Sequence, residues 1–139
     1  METKFNFKSQ VCTDKNQSER LLSLGLKKET ADMYWVNHLD FWMPVMLLYE
    51  DRPLDNNDIP AWSLHRLIEM MPKNIHKYND IADLSVSNEL VQYRFYDVDY
   101  NHDVCLEHFN DGTLFDNIID CIEWLIKKGY FNKEYLCES

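Results

Sequence analysis

Leu90-Val91-Gln92-Tyr93-Arg94-Phe95-Tyr96-Asp97-Val98 has a hydrophobic period of two, and the later stretch Thr113-Leu114-Phe115-Asp116-Asn117-Ile118-Ile119-Asp120-Cys121-Ile122-Glu123-Trp124-Leu125-Ile126-Lys127-Lys128-Gly129 has one near 3.6. In the first, Val91, Tyr93 and Phe95 point one way while Gln92, Arg94 and Tyr96 point the other, the pattern of a half-buried strand. In the second, Leu114, Phe115, Ile118, Ile119, Cys121, Ile122, Leu125 and Ile126 share one broad helical face. Asp116, Asp120, Glu123 and Lys127 form a narrow stripe opposite. Thr113 with Asp116 reads as a capping box, Lys127 and Lys128 suit the negative end of the helix dipole, and Gly129 is the stop.

Outward from this core the same signals recur. Residues 103–109 alternate, with Val104 and Leu106 on one face, and residues 81–86 precede as a third strand through the turn-like Ser87-Asn88. A second β region is expected over residues 33–49, turning at Asn37-His38-Leu39-Asp40, where Pro44 marks an edge strand or a bulge. Residues 51–58 read as a polar loop. Asp14 and Gln17 fit an N-cap with its capping-box partner, opening a helix over residues 14–24 that Gly25 stops. Ser63 caps a short helix in which Leu64, Leu67, Ile68 and Met71 share a face and Pro72 ends the run; Asn132 can cap a final turn through Leu136. The order helix, hairpin, helix, meander, helix predicts an α+β domain. Its antiparallel sheet is a hairpin plus a three-strand meander, with about three helices packed on one face. No Pro-, Gly- or Ser-rich linker splits residues 1–139, so a single globular domain is expected.

A composition 45% hydrophobic and 14% aromatic suits a packed core rather than a disordered chain. The formal net charge of −10 argues against direct contact with nucleic acid or an anionic membrane. There is no run of apolar residues long enough to span a bilayer, and Met1-Glu2-Thr3-Lys4-Phe5 lacks the apolar core of a secretory signal. A cytoplasmic protein with Cys12, Cys105, Cys121 and Cys137 as free thiols is the expectation.

From Phe95 to Ile126 the chain carries eight acidic side chains and no Lys or Arg. Within that run Asp97-x-Asp99-x-Asn101-x-Asp103 spaces oxygen ligands as a calcium loop begins, yet His102 and His108 stand where such a loop needs Gly and a bidentate Glu. A solvated hairpin tip is the plainer reading, with calcium as the alternative; otherwise no cofactor is expected. His102-x-x-Cys105-x-x-His108 suggests zinc, but strand alternation places the two histidines on one side and Cys105 on the other. Cys121 falls on an apolar helix face, and Cys105 sits between carboxylates that raise a thiol pKa. No Gly-x-Ser-x-Gly, phosphate loop or His-Glu-x-x-His occurs, so an enzyme is not expected. Trp62 and Trp124, at core boundaries, and His65 and Arg66, facing away from the second helix's apolar stripe with Glu69 and Met70, are the candidates for a protein contact.

Ile59-Pro60-Ala61-Trp62-Ser63-Leu64-x-x-Leu67-Ile68-Glu69 resembles a segment of small uncharacterised proteins encoded by phages and mobile elements of anaerobic gut bacteria. So do Ser18-Glu19-Arg20-Leu21-Leu22-x-Leu24-Gly25-Leu26, the following Glu29-Thr30-Ala31-Asp32-Met33, and the closing helix read through Asn117, Asp120 and Leu125. These motifs mark capped helices and a Pro-Ala-Trp turn. The resemblance implies an accessory role in a mobile element within a bacterial cytoplasm, and carries no functional residue. The chain is thus expected to bind a protein partner, with a homo-oligomer left open. The alternative is a nucleic-acid mimic whose face Asp116, Asp120 and Glu123 blocks a DNA-binding protein.

Overall fold

The computed structural model of the chain describes residues 9–46, 57–77 and 79–138. The end of the expected 33–49 β region and most of the 51–58 loop lie outside these. In chain order the elements are α1 (Lys15–Ser23), β1 (Met33–His38), β2 (Phe41–Met46), β3 (Ile59–Ala61), α2 (Leu64–Met70), β4 (Asn74–Lys77), β5 (Asp80–Ser87), β6 (Leu90–Asp97), β7 (His102–Phe109) and α3 (Leu114–Lys128). Short 3-10 turns occupy Lys28–Thr30 and Lys133–Tyr135.

The helix ends follow from local chemistry. The Asp14 carboxylate accepts the Gln17 backbone N–H at 2.8 Å while Gln17 Oε1 accepts that of Asp14 at 3.0 Å, completing the expected box. Ser63 Oγ accepts the Arg66 N–H at 3.1 Å. At α3, Thr113 Oγ1 accepts the Asp116 N–H, but Asp116 Oδ2 accepts the Thr113 hydroxyl rather than the backbone, so that box is half side chain to side chain. Gly129 ends α3 at φ 79°, in the left-handed region where a Cβ is costly.

The hairpin and the meander are both present, in two separate antiparallel sheets, β2-β1-β3 and β4-β5-β6-β7. Each has gained a short strand. Ile59-Pro60-Ala61 is β3, paired with Met33, Tyr34 and Trp35, where a Pro-Ala-Trp turn was expected. Asn74–Lys77 is β4, paired with β5. Val91 and Tyr93 of β6, Phe115, Ile118 and Ile122 of α3, and Leu21, Trp62 and Leu67 are buried in the main core cluster, while Cys12, Met33 of β1 and Ala61 of β3 form a second, smaller one. The C-terminal turn clasps the end of α1, with the Cys137 N–H donating to the Gly25 carbonyl at 2.7 Å and Lys27 N–H to the Tyr135 carbonyl at 2.9 Å.

Pro44 lies on the outer strand of its sheet, as expected of an edge residue. The two-residue turn Leu39-Asp40, at φ 50° and 70°, makes His38 and Phe41 the hydrogen-bonded closing pair. Alternation then makes Trp35 and Pro44 a non-bonded pair, so the nitrogen of Pro44 faces away from β1. The missing donor costs no ladder bond and removes the central donor from the outward edge of a strand with no charged residue of its own. Pro44→Thr restores that donor and is expected to raise self-association without lowering the melting temperature, as read by light scattering across a concentration series. Unchanged mass at every concentration would refute this role for the proline.

β7 departs from simple alternation. Tyr93 pairs with Glu107 and Arg94 with Cys105, so Leu106 is the extra residue of a β-bulge. The bulge shifts the phase of the strand, and Cys105 Sγ approaches His108 Nδ1 at 3.8 Å. The expectation that both histidines oppose Cys105 is therefore corrected: His108 joins Cys105, while His102 pairs with Asp97 at the far end.

Candidate binding surface

The acidic stripe of α3 faces α1 rather than open solvent. Gln17 Nε2 donates to Asp116 Oδ1 at 2.7 Å, and Arg20 Nη2 donates to both Asp120 Oδ1 and Glu123 Oε2 at 2.7 Å. Lys127 adds a contact of 3.1 Å to Glu123, one turn away. The stripe thereby works as the polar seam of a helix pair, with much of its charge already met. Exposed pairs of this kind contribute at most about 1 kcal/mol each.

The hydrogen bond from Gln17 holds the Asp116 carboxyl below its ordinary value, and the hydrogen bond from Arg20 does the same for Glu123. Both groups bind protons less tightly folded than unfolded, so the stability they add is complete above the unfolded values. It is lost as pH falls through the depressed folded values. The melting temperature is expected to drop as pH is lowered below the ordinary Glu value of 4.5. Arg20→Met should flatten that acid limb, and an unaltered limb in this variant would show that the seam is not its source.

At the β6–β7 tip, the Asp97 carboxylate accepts the backbone N–H groups of Asp99 and Tyr100 at 3.0 and 3.3 Å, closing the turn. The Tyr96 hydroxyl donates to the Asn101 carboxamide oxygen, Asn101 turns the chain at φ 56°, and Asp103 lies 3.7 Å from Arg94. Asp97, Asp99, Asn101 and Asp103 thus form the hairpin tip. Among the described residues no group of three or more His, Cys, Asp or Glu is arranged to hold a metal ion.

The other candidates separate sharply. Trp62 is completely buried, its Nε1 donating to Thr30 Oγ1 at 2.9 Å, so it is removed as a contact residue. Arg66 is half-buried, with Nη1 donating to the Thr30 carbonyl at 3.1 Å, which makes it a brace for the 28–30 turn. Met70 is buried and does not share the outward face assigned to it, whereas His65 is exposed there. Trp124 is half-buried, its ring centroid 6.0 Å from Tyr93, 6.2 Å from Phe109 and 5.7 Å from Tyr130. It closes an aromatic cluster at the α3 margin.

All four cysteines are free. Burial pushes the Cys12 thiol up to about 11 and the Cys121 thiol up to about 12. Burial and then Glu107 also raise Cys105. Cys12, Cys105 and Cys121 are therefore not poised as thiolates.

Sequence reasoning did not identify an apolar groove on the β6–β7 face. α3 packs against β6 and β7 and buries Val91 and Tyr93, but further along β6 the paired Phe95 and Val104 are only half-buried. Beyond the helix, Ala82, Phe95, Val104, Cys105 and Leu106 line a groove of about 260 Å³, with Lys77 and Asp80 at one side. Val98 and Tyr100, exposed by 81% and 75%, stand at the adjoining tip. Alternation of Val91, Tyr93 and Phe95 marked this face in the sequence; that α3 stops short of covering it was not legible. A second apolar patch, Phe41 and Met43 on β2, is also exposed. No helix among the described residues is long and apolar enough to cross a membrane.

No protein-family model, curated protein or solved structure matches this chain.

Proposed function

We propose that this protein acts by binding another protein, and that the groove beside the β6–β7 hairpin is where the partner docks. The observation that carries this reading is the apolar floor of Ala82, Phe95, Val104 and Leu106, left open on the face that α3 packs. Concave apolar surface next to exposed aromatics is where binding energy concentrates. Binding rather than turnover suits the Cys12 and Cys121 thiols, which burial holds protonated, and the acidic residues of α3, which are engaged with α1. The resemblance to phage and mobile-element proteins supplies the setting, an accessory role in a bacterial cytoplasm.

Affinity capture from the native host tests this with the wild-type chain and Val104→Lys, each first checked for an unchanged melting temperature. A partner retained by the wild type is expected to fall about tenfold or more with the variant, the size of a hot-spot loss. Equal retention of every partner would refute the groove as the docking site.

A further inference from the structure

Residues three apart on a regular strand point to opposite faces, so alternation alone would keep Cys105 and His108 apart. The extra residue Leu106 cancels one step of that alternation, and re-aiming a side chain is a common use of a bulge. Cys105 then stands opposite Arg94 and His108 opposite Gln92, two residues apart on β6 and hence on one face. Both side chains are exposed, on the outermost strand of the sheet β4-β5-β6-β7. The Cys105 sulfur and His108 Nδ1 lie 3.8 Å apart. Zinc bonds of about 2.3 Å to sulfur and about 2.0 Å to nitrogen, at a tetrahedral angle, space two such donors about 3.6 Å apart. The pair therefore has the bite of a zinc ion.

We infer that Cys105 and His108 are half of a zinc site, and that the same pair from a second copy of this chain completes it across a two-fold axis. The donor set selects the ion, because a thiolate and an imidazole suit zinc and not calcium or magnesium. A structural zinc takes four protein ligands, and among the described residues no third His, Cys, Asp or Glu is arranged with this pair to hold a metal. His102 lies at the far end of β7, opposite Asp97, and the Glu107 carboxylate accepts the His108 backbone N–H at 3.0 Å. A second copy supplies what is missing by symmetry. In an antiparallel pairing of two β7 strands centred between Leu106 and Glu107, Cys105 of each copy stands across from His108 of the other, an isologous contact. Burial and then the Glu107 carboxylate raise the Cys105 thiol, but a dication at the sulfur inverts that balance, and the thiol proton leaves to solvent. Arg94, opposite Cys105, is drawn toward Asp103 at 3.7 Å. Two chains of net charge −10 repel each other, so this pairing is expected only with the bridging ion. The inference is independent of the docking reading, since it uses the edge of β7 and not the apolar floor.

The test adds Co²⁺ and then Zn²⁺ to the full, reduced chain and to Cys105→Ser, His108→Gln and Cys137→Ser, the last removing the other exposed thiol. Cobalt takes the place of zinc in such sites and reports a thiolate ligand through a charge-transfer absorption. Wild type and Cys137→Ser should show that absorption, saturating at one ion per two chains and lost when zinc displaces the cobalt. Light scattering should show the mass double with zinc and return to that of a single chain with EDTA. Cys105→Ser should lose both the absorption and the doubling, and His108→Gln should weaken cobalt binding about tenfold or more. Both positions are exposed, so each variant should keep the wild-type melting temperature in EDTA. Saturation at one ion per chain with an unchanged mass would mean that water fills the remaining positions, which overturns the role of the second copy. Absorption that survives in Cys105→Ser would place the ion on another thiol. Its absence from the wild type would remove the site altogether.

Discussion

Asn117→Leu is expected to lower the unfolding free energy by about 3 kcal/mol, measured as a shift in the denaturant midpoint with an unchanged slope. Asn117 is completely buried within α3. Its Nδ2 donates to the Glu89 carbonyl at 2.6 Å and to the Gly112 carbonyl at 3.0 Å, and its Oδ1 accepts the Gly112 N–H at 2.9 Å. One side chain thus ties the start of α3 to the β5–β6 turn and to the loop leaving β7. Leucine keeps the volume but leaves three backbone groups without a partner, at about 1 kcal/mol or more each. Asn117→Asp should be at least as damaging, because a carboxylate cannot donate to two carbonyls. A loss below about 1 kcal/mol for both variants would mean that water replaces these bonds and that the tie is not structural.

Trp62→Ala is expected to cost about 3–5 kcal/mol, the range for emptying a large buried aromatic site. Trp62→Phe should cost less, about 1–2 kcal/mol, because most of the ring volume stays while the Nε1 bond to Thr30 is lost. The backbone of Trp62 adds to its role. Its N–H donates to Thr13 Oγ1 at 3.1 Å, and its carbonyl accepts the Thr13 N–H at 2.9 Å. The indole therefore sits where the chain entering α1, the 28–30 turn and α2 meet. Equal losses for the two variants would place the energy in the hydrogen bond rather than in packing. In either case the binding surface should survive, which separates Trp62 from the contact role its composition suggested.

The parts of this fold written in the sequence are those decided within a few residues. The caps of α1, α2 and α3 depend on bonds spanning three positions, and Gly129 ends α3 through its own φ. The hairpin turns at Leu39-Asp40, Asn88 and Asn101 are likewise local. β3 and β4 escaped notice because strands of three and four residues carry almost no period and exist by pairing with distant partners. The bulge at Leu106 is invisible without β6 beside it.

The same division holds for the candidate site. Asp116, Asp120 and Glu123 read as a free acidic face because Gln17 and Arg20 lie about a hundred positions away in the chain. Asn117 interrupts an otherwise apolar helix face, a signal that a buried polar residue needs partners, but not which ones. The groove needed both the alternation of β6 and the knowledge of where α3 stops.

Site-specific photo-crosslinking in the native host tests the central claim most directly, with the reactive side chain placed in turn at Val104, His65 and Phe41. These positions sample the groove, the outward face of α2 and the β2 patch. The account predicts a discrete protein adduct from Val104 and none of comparable yield from His65 or Phe41. An adduct from either of those two, with none from Val104, would contradict it.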